Sequence, residues 1–411
     1  MSKIKKYLLF FMAGLLLGGC GSNSSVSSPP PETAAVPATP ATTASPSETT
    51  IATETTTAPE TTTATEETVP PKTVHFCAVG DNIIHSPIYR QAYLDGGGEY
   101  DFTAAYDGVA ELIAAADLAV VNQETLICDD KYEPSNYPLF NTPTALGDHM
   151  IGIGFDVFTL ANNHCLDYGE EGVGYTLDYW ERTGVPFAGI RRKDEKAYTL
   201  GEYNGVTFSF LSYTEALNGF SLPPGSGYVI GNANDRETVL AEVTEAKESS
   251  DVCVVALHWG IEYSDEITEA QREYAIALSE AGADVIIGNH PHVMRGIELI
   301  ETAERDTVCA YSLGNFISAQ NHAANMVSGV LELDITFTDR SERVKLTNIR
   351  LTPTVTHYDY NYQNLRVIRL ADYTPELAAK HGVQKYGDAF SYDYVVALLQ
   401  KTIDERFLNL S

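Results

Sequence analysis

Basic residues are scarce in this sequence of 411 residues. It contains 26 lysines and arginines against 56 aspartates and glutamates, which gives a formal net charge of −30. Proteins that bind DNA or RNA neutralise phosphates with Lys and Arg, so this composition argues against a nucleic-acid partner. Hydrophobic residues still make up 44% of the chain, which is enough to bury a sizeable core. The acidic surplus indicates a soluble, acidic surface and does not by itself identify a function.

Cysteine is also scarce, with six in the whole chain. One is assigned below to lipid modification, and the other five, an odd number, cannot all form disulfides with one another. Cys77, Cys253 and Cys309 lie in apolar, strand-like runs, which is typical of buried free thiols. A bridge between Cys128 and Cys165 stays open as an alternative. The spacing of the cysteines does not match a zinc ribbon.

The first 20 residues contain a short apolar run that is too short for a relaxed membrane span. Three lysines precede it, and the run from Tyr7 to Leu17 has the length of a signal peptide. It ends in Leu-Gly-Gly-Cys, which resembles the lipobox of bacterial lipoproteins, where Cys20 becomes the acylated mature N-terminus. An ordinary signal peptide with an incidental cysteine is the alternative. We therefore expect residues 1–20 to be a lipoprotein signal peptide, and the protein to be extracytoplasmic and lipid-anchored to the outer face of the bacterial cytoplasmic membrane.

Residues 21–72 consist almost entirely of Ser, Thr, Pro, Ala and Glu. Such a segment has too few apolar groups to offset the entropy lost on ordering it. We expect a disordered, Thr/Ser/Pro-rich tether that holds a folded domain away from the membrane.

Residues 73–411 alternate apolar runs with amphipathic stretches, which is the pattern of an α/β domain. Strands are predicted at 74–79, 118–121, 155–160, 185–188, 252–257, 285–288 and 307–312. Helices are predicted at 106–116, 170–182, 234–247, 268–281 and 392–407. Two later segments, 328–337 and 344–352, are predicted to be antiparallel strands.

Polar residues directly follow most of the predicted strands. Such residues often cap the next helix or form a turn, but four histidines here follow three different strands, and carboxylates follow two others. Because the carboxyl ends of parallel strands meet in one crevice, we expect these side chains to converge. The candidate metal ligands are Asp81, Glu124, Asn163, His258, His290 and His292, and His164 is the candidate general acid or phosphate contact.

Imidazole, carboxylate and amide groups together suit zinc, manganese or iron. Two such ions about 4 Å apart lower the pKa of a bridging water towards ~7 and clamp the attacking and leaving oxygens of a displacement at phosphorus. A carboxylate between the ions offsets their mutual repulsion. The sequence therefore predicts a site for two divalent metal ions.

The ordered motifs resemble those of the CapA family of poly-gamma-glutamate capsule synthesis proteins. They are Gly80-Asp81, Asn122-Gln123-Glu124, Asn162-Asn163-His164, His258-Trp259-Gly260, Gly288-Asn289-His290-Pro291-His292 and Ser312-Leu313-Gly314-Asn315-Phe316. The resemblance covers roughly Thr73 to Thr352. That family is similar to calcineurin-like metallophosphoesterases, which implies a four-layer αββα sandwich, a dinuclear centre formed by the six candidate ligands, and His164 as the catalytic histidine. It also implies membrane-bound capsule synthesis partners, with an anionic surface polymer as a further candidate partner.

Two positions depart from the phosphoesterase pattern. Ile83 stands where a His usually follows the first Asp by two residues, and Glu124 stands in place of a shorter bridging Asp. His85 is therefore either a substitute ligand or a surface or substrate-facing residue.

Four neighbouring residues are given supporting roles. Asn162 and Asn315 are expected to orient ligands or substrate without binding metal. Trp259 either stacks on substrate or packs beside His258. Asp167 either holds His164 or caps the helix predicted from residue 170.

Three functions fit these observations. The first is a metal-dependent enzyme that hydrolyses or transfers a phosphoester, or a related bond, during assembly of a surface polymer. The second is a non-catalytic assembly or export factor that retains the metallophosphoesterase scaffold. The third is a metal-dependent receptor for an anionic ligand, although the charge of −30 opposes binding of a polyanion unless cations bridge the two.

Overall fold

A computed structural model describes residues 70–410. The predicted signal peptide, Cys20 and nearly all of the predicted tether lie outside these residues. The described residues belong to one compact unit. Among them, no helix combines the length and the apolar character needed to cross a membrane.

The elements alternate between strands and helices over most of the chain. The strands are β1 (Lys72–Asn82), β2 (Leu118–Gln123), β3 (Val157–Thr159), β4 (Phe187–Ala188), β5 (Ile190–Arg192), β6 (Thr199–Tyr203), β7 (Val206–Thr214), β8 (Tyr228–Ile230), β9 (Val252–His258), β10 (Val285–Asn289), β11 (Ile297–Glu301), β12 (Asp306–Ala310), β13 (Asn315–Ile317), β14 (Val327–Phe337), β15 (Lys345–Asp359) and β16 (Gln363–Arg369). The helices are α1 (Ser86–Asp95), α2 (Thr103–Ala114), α3 (Thr144–Gly152), α4 (Gly169–Thr183), α5 (Arg236–Ser249), α6 (Glu269–Ala281), α7 (Pro375–Ala378) and α8 (Tyr392–Thr402).

The strands form two large mixed sheets and a small two-stranded sheet of β5 and β8. The larger sheet has the order β16-β15-β14-β1-β2-β3-β4, with β13 also paired to β1, and the second has the order β11-β12-β10-β9-β7-β6. Strands β1 to β4 are parallel to one another, and so are β7, β9, β10 and β12. Parallel strands present their carboxyl ends at one edge of a sheet, which is where α/β proteins place their sites.

Alternate residues of the second sheet face two different cores. On β9, Val252 and Val254 are buried in the main core together with Val74 of β1. Cys253 and Val255, which point the other way, are buried in a second core with residues of α5 and α6. Part of the main core therefore lies between the two sheets, and the second core lies between the second sheet and its helices.

Helices also cover the outer face of the larger sheet. Trp180 of α4 packs on Phe158 of β3, with ring centroids 4.2 Å apart, and Tyr106 of α2 belongs to the same core. The order of layers is helices, sheet, sheet and helices, which is the four-layer α/β sandwich predicted from the sequence.

Several details differ from the predictions. The strands β6, β7, β11 and β16 and the helices α1 and α3 were not predicted, and the closing helix α8 ends at Thr402 instead of extending to residue 407. Cys128 and Cys165 are free, buried thiols, so the bridge considered between them is absent.

Candidate metal centre

The candidate ligands lie where the parallel strands of both sheets end. Asp81 at the end of β1 is in register with Asn122 on β2 and with Asn315 on β13. His258 at the end of β9 is in register with Asn289 on β10. The backbone N–H of His290 lies 3.2 Å from Oδ2 of Asp81, although the two residues are more than 200 positions apart in sequence. The strand ends therefore bring distant motifs into one place.

Two glycines make this convergence possible. A Cβ atom on Gly80 would lie 1.9 Å from the carbonyl oxygen of Gly314, and a Cβ on Gly288 would lie 2.1 Å from that of Tyr311. These distances are far below van der Waals contact, so only glycine allows the strand ends to approach this closely.

A buried group of three side chains forms the centre of the site. Ligand atoms of Asp81, Glu124 and His258 all lie within 4.8 Å of one another. Glu124 is only 1% exposed, and no hydrogen-bond donor in the described part of the chain reaches either of its carboxylate oxygens. A buried carboxylate without a partner is costly, so these residues fit a positively charged ligand.

Three more candidate ligands surround this group. Nε2 of His258 lies 3.0 Å from Oδ1 of Asn163 and 3.1 Å from Nδ1 of His290. His292 bridges the two carboxylates, with Nδ1 3.3 Å from Asp81 and Nε2 3.8 Å from Glu124.

The electrostatics of the site favour neutral imidazoles beside an acidic cluster. Burial, followed by the neighbouring histidines, lowers the pKa of His258 well below its usual value and that of His290 to about 4. Burial, followed by the carboxylates of Asp81 and Glu262, raises the pKa of Glu124. Neutral imidazole nitrogens and carboxylate oxygens are the donors that a divalent transition metal requires. The donor set therefore fits the metal ions predicted from the sequence.

Backbone strain is concentrated in the same loop. His290 and His292 have φ angles of 96° and 60°, a region that residues with a side chain rarely adopt. Strain of this kind is kept where a side chain must be aimed at a particular point. Here it places the imidazole of His290 beside His258 and that of His292 between Asp81 and Glu124.

Asparagines orient the candidate ligands. Nδ2 of Asn122 donates to Asp81 at 2.7 Å, and Oδ1 of Asn315 lies 3.0 Å from Nδ1 of His292. Asn162 donates to the carbonyl of Gln123 and accepts from the backbone N–H of His164. Asn315 thus contacts a candidate ligand and Asn162 contacts the backbone of His164, while their supporting roles stay a prediction.

His164 is held by Asp167. The carboxylate lies 2.8 Å from Nδ1 of the imidazole and also accepts from the backbone N–H of Phe140. Helix α4 begins at Gly169 with no side-chain cap. Of the two roles considered for Asp167, the structure therefore shows the contact with His164.

One supporting residue was missed from the sequence. Asn218 accepts a hydrogen bond from Nδ2 of Asn163 at 3.2 Å and lies 3.4 Å from Nδ1 of His164. Because the donor side of the Asn163 amide is held in this way, its Oδ1 faces His258. Asn218 follows the end of β7, a strand that was not predicted, so the pattern of polar residues after strands did not reveal it.

His85 lines a cavity that opens beside the candidate metal centre. Its Nδ1 accepts a hydrogen bond from the backbone N–H of Ala319 at 3.2 Å, and its ring packs edge-on against Phe140. Burial lowers the pKa of His85 to about 4. His85 and Ile83 both line the cavity above the cluster, so the role of His85 as a substitute ligand or a substrate-facing residue stays a prediction.

Trp259 is a packing residue, which corrects the alternative that it stacks on substrate. Its side chain is fully buried, its Nε1 donates to the carbonyl of Tyr311, and the two rings are nearly parallel at 5.8 Å. No face of the indole is left for a ligand.

Comparison with known proteins agrees with the motif pattern. The family model for the bacterial capsule synthesis protein PGA_cap matches residues 75–320. The chain belongs to this family. It is 35% identical over 184 residues to the PGA biosynthesis protein CapA of Bacillus subtilis, covering 44% of this chain and 47% of that protein. It is 31% identical over 189 residues to the capsule biosynthesis protein CapA of Bacillus anthracis, covering 44% of each. The chain thus spans about half the length of the curated relatives it matches.

Solved structures give more distant matches. A putative 5'-nucleotidase from Staphylococcus aureus aligns with a TM-score of 0.41 and 15% identity over 68% of this chain and 54% of that chain. A 5'-nucleotidase precursor from Thermus thermophilus aligns with a TM-score of 0.42 and 14% identity over 80% and 59% of the two chains. Similarity this low carries no argument about the activity of the PGA_cap chain.

Proposed function

We propose that this chain is a metal-dependent hydrolase or transferase of the phosphoesterase type that acts in the synthesis of a capsule polymer such as poly-gamma-glutamate. The observation that carries the proposal is the position of Glu124, buried without a hydrogen-bond donor and grouped with Asp81 and His258 within 4.8 Å. Leaving a charge buried and uncompensated costs several kcal/mol, and bound cations would compensate it. Membership of the capsule synthesis family supports the pathway.

Six side chains would hold two divalent ions, of manganese, zinc or iron. These are Asp81, Glu124, Asn163, His258, His290 and His292. Such ions polarise a phosphoryl oxygen and lower the pKa of water, which supplies a nucleophile at neutral pH.

His164 would protonate the leaving oxygen. Because Asp167 accepts the hydrogen bond of Nδ1, the proton to be transferred is the one on Nε2, and the carboxylate stabilises the charged imidazole before transfer. The backbone of His164 is fixed by Asn162. Asp167 and Asn162 are thus positioning residues, and His164 is the group that contacts the reacting atoms.

The location and the partners belong to the same proposal. Acylation at Cys20 would anchor the chain to the outer face of the cytoplasmic membrane, and the residues between Cys20 and the start of β1 at Lys72 would act as the tether. A domain on a tether can reach membrane-bound synthesis partners and the anionic polymer they release. A Cys20→Ser variant is expected to leave the membrane fraction while keeping its enzymatic activity.

Polymer production in cells tests the proposal against a non-catalytic role. The Asp81→Ala and His258→Ala variants, each shown to be folded by circular dichroism, are expected to abolish production. The matched control is Asp178→Ala, an exposed carboxylate on α4, which should leave production unchanged. Normal polymer from folded variants that lack metal would instead show that the chain is an assembly or export factor without catalysis.

A further inference from the structure

A cavity of about 500 Å³ opens above the candidate metal centre. Its inner wall includes Glu124, Asn163, His164 and His292, so a ligand in the cavity would contact both the cluster and the candidate general acid. This volume is within the range of sites for small organic ligands.

The mouth of this cavity is apolar and exposed. Tyr137, Leu139, Phe220 and Tyr263 line it, with exposed fractions of 70%, 38%, 45% and 54%. Single exposed apolar residues are normal on a protein surface, but a cluster around a concave site indicates contact with an apolar group.

The cavity offers no positive side chain to a ligand. Among the described residues that line it, none is Lys or Arg, and the charged side chain at the mouth is Glu262. A ligand with several negative charges would therefore find compensation for them only at the metal ions.

Arg295 is buried and holds the loop that forms one side of the mouth. Its guanidinium donates to the carbonyls of Ser264 and Ile261 and to Oε1 of Gln271. The backbone N–H of Tyr263 donates to Pro291 at 2.8 Å. The loop that carries Glu262 and Tyr263 is therefore pinned at several points, so the apolar and acidic mouth exists before a ligand binds.

We infer that the substrate of this site is a phosphodiester with at least one apolar or aromatic ester group, and not a phosphomonoester or a polyanionic chain. The inference rests on the proposed phosphoesterase function. A diester carries one negative charge where a monoester carries two near pH 8, so it needs less cationic compensation, and its ester group can lie against Tyr137 and Phe220. In hydrolysis, the oxygen of water bonds to phosphorus and its proton passes to solvent, the P–O bond to one ester oxygen breaks, and His164 protonates that oxygen to give the alcohol. The products are a phosphomonoester and an alcohol.

Binding and turnover by the full-length chain in the presence of Mn²⁺ test this inference. Calorimetry should show that diphenyl phosphate binds at least about tenfold more tightly than phenyl phosphate. The kcat/KM for bis(4-nitrophenyl) phosphate should exceed that for 4-nitrophenyl phosphate by a similar factor. Preference for the monoesters overturns the substrate inference alone. Binding that favours the diester, without turnover of either nitrophenyl ester, overturns the proposed enzymatic function and keeps the assignment of the cavity.

Substitutions at the mouth test its apolar character and its negative charge separately. Phe220→Ser is expected to weaken the binding of diphenyl phosphate about fivefold and to weaken the binding of phenyl phosphate less. Glu262→Lys should raise the affinity for phenyl phosphate and so reduce the preference of the site for diphenyl phosphate over phenyl phosphate. The control is Ile276→Ser, an equally exposed apolar residue at 44% on α6 outside the cavity, which should change neither ligand. An unchanged preference in both mouth variants would contradict the inference.

Discussion

Nε2 of His258 and Nδ1 of His290 lie 3.1 Å apart on loops that follow neighbouring parallel strands. Burial lowers the pKa of both imidazoles, to about 4 in His290, so both rings are neutral at physiological pH. Two neutral rings can share at most one hydrogen at this contact, and Asn163 and Glu124 approach the same Nε2 from its other sides. An arrangement of several lone pairs around one point is stabilised by a cation.

Removing the charge of Glu124 should have opposite effects with and without metal. In protein treated with a chelator, Glu124→Gln is expected to increase the free energy of unfolding by about 1–3 kcal/mol, because the buried carboxylate has no partner. In the presence of Mn²⁺, the variant should lose most of the thermal stabilisation that the metal gives to the wild type. Chemical and thermal denaturation measure both effects.

Glu332→Gln is the matched control for this experiment. Glu332 is as buried as Glu124, but its carboxylate is paired with Arg350 and accepts from Thr352. Its substitution should reduce stability by about 1–3 kcal/mol with or without metal, because a buried hydrogen-bonded charge is removed. A loss of stability in metal-free Glu124→Gln would contradict the assignment of Glu124 as an uncompensated ligand.

Proton transfer is expected to depend on His164 and on its contact with Asp167. His164→Ala should lower kcat by about 10²- to 10⁴-fold, the usual range for loss of a general acid. Asp167→Asn should lower kcat less, since the ring stays in place but loses the carboxylate that contacts Nδ1 and stabilises its charged form. Neither substitution removes a ligand, so the metal content should stay at the wild-type value. Loss of metal from either variant would show that its role is structural.

Trp259 should matter for stability and not for catalysis. Trp259→Phe removes the hydrogen bond to Tyr311 and part of a buried, stacked contact, with an expected destabilisation of about 1–3 kcal/mol. Because the ring is outside the cavity, KM should be unchanged. An increase in KM without a loss of stability would restore the substrate-stacking role.

The buried ring of His381 makes stability depend on pH at a point away from the metal centre. Its Nε2 donates to the carbonyl of Thr356, and its Nδ1 accepts from the N–H of Val383, so the fold requires the neutral ring. Burial lowers its pKa to about 4, below the value of about 6.5 in the unfolded chain. The contribution of His381 to stability is therefore present above pH ~6.5 and is lost as the pH falls towards 4. The total loss approaches about 3 kcal/mol.

His381→Gln isolates this contribution because glutamine does not titrate. Urea denaturation between pH 7 and pH 4.5 should show a smaller loss of stability in the variant than in the wild type. Parallel losses in the two proteins would exclude His381 as a source of the pH dependence.

The sequence was sufficient to predict which loops meet, because the strands that end at the site are short, apolar and followed by polar residues. Strands β1, β2, β9 and β10 were all recognised in this way, and Asp81, Glu124 and His258 come together as expected. The resemblance to the CapA family added the order of the motifs. The family match confirms this resemblance.

The missed features are those without a periodic signal. Strand β7 interleaves Ser and Thr with its aromatic residues, which hides its apolar alternation, and Asn218 was missed with it. The burial of Trp259 depends on Tyr311, 52 residues further along the chain, so local pattern could not decide between packing and substrate contact. The mouth of the cavity is formed by loops from distant parts of the sequence, which no local rule brings together.

Elemental analysis of the purified full-length chain tests the central claim most directly. After dialysis against buffer containing trace Mn²⁺, Zn²⁺ and Fe²⁺, mass spectrometry should find about two transition-metal ions per chain in the wild type. Asp81→Ala and Glu124→Gln should each retain clearly less. A wild-type protein that remains metal-free and melts at the same temperature with and without added Mn²⁺ or Zn²⁺ would contradict the account.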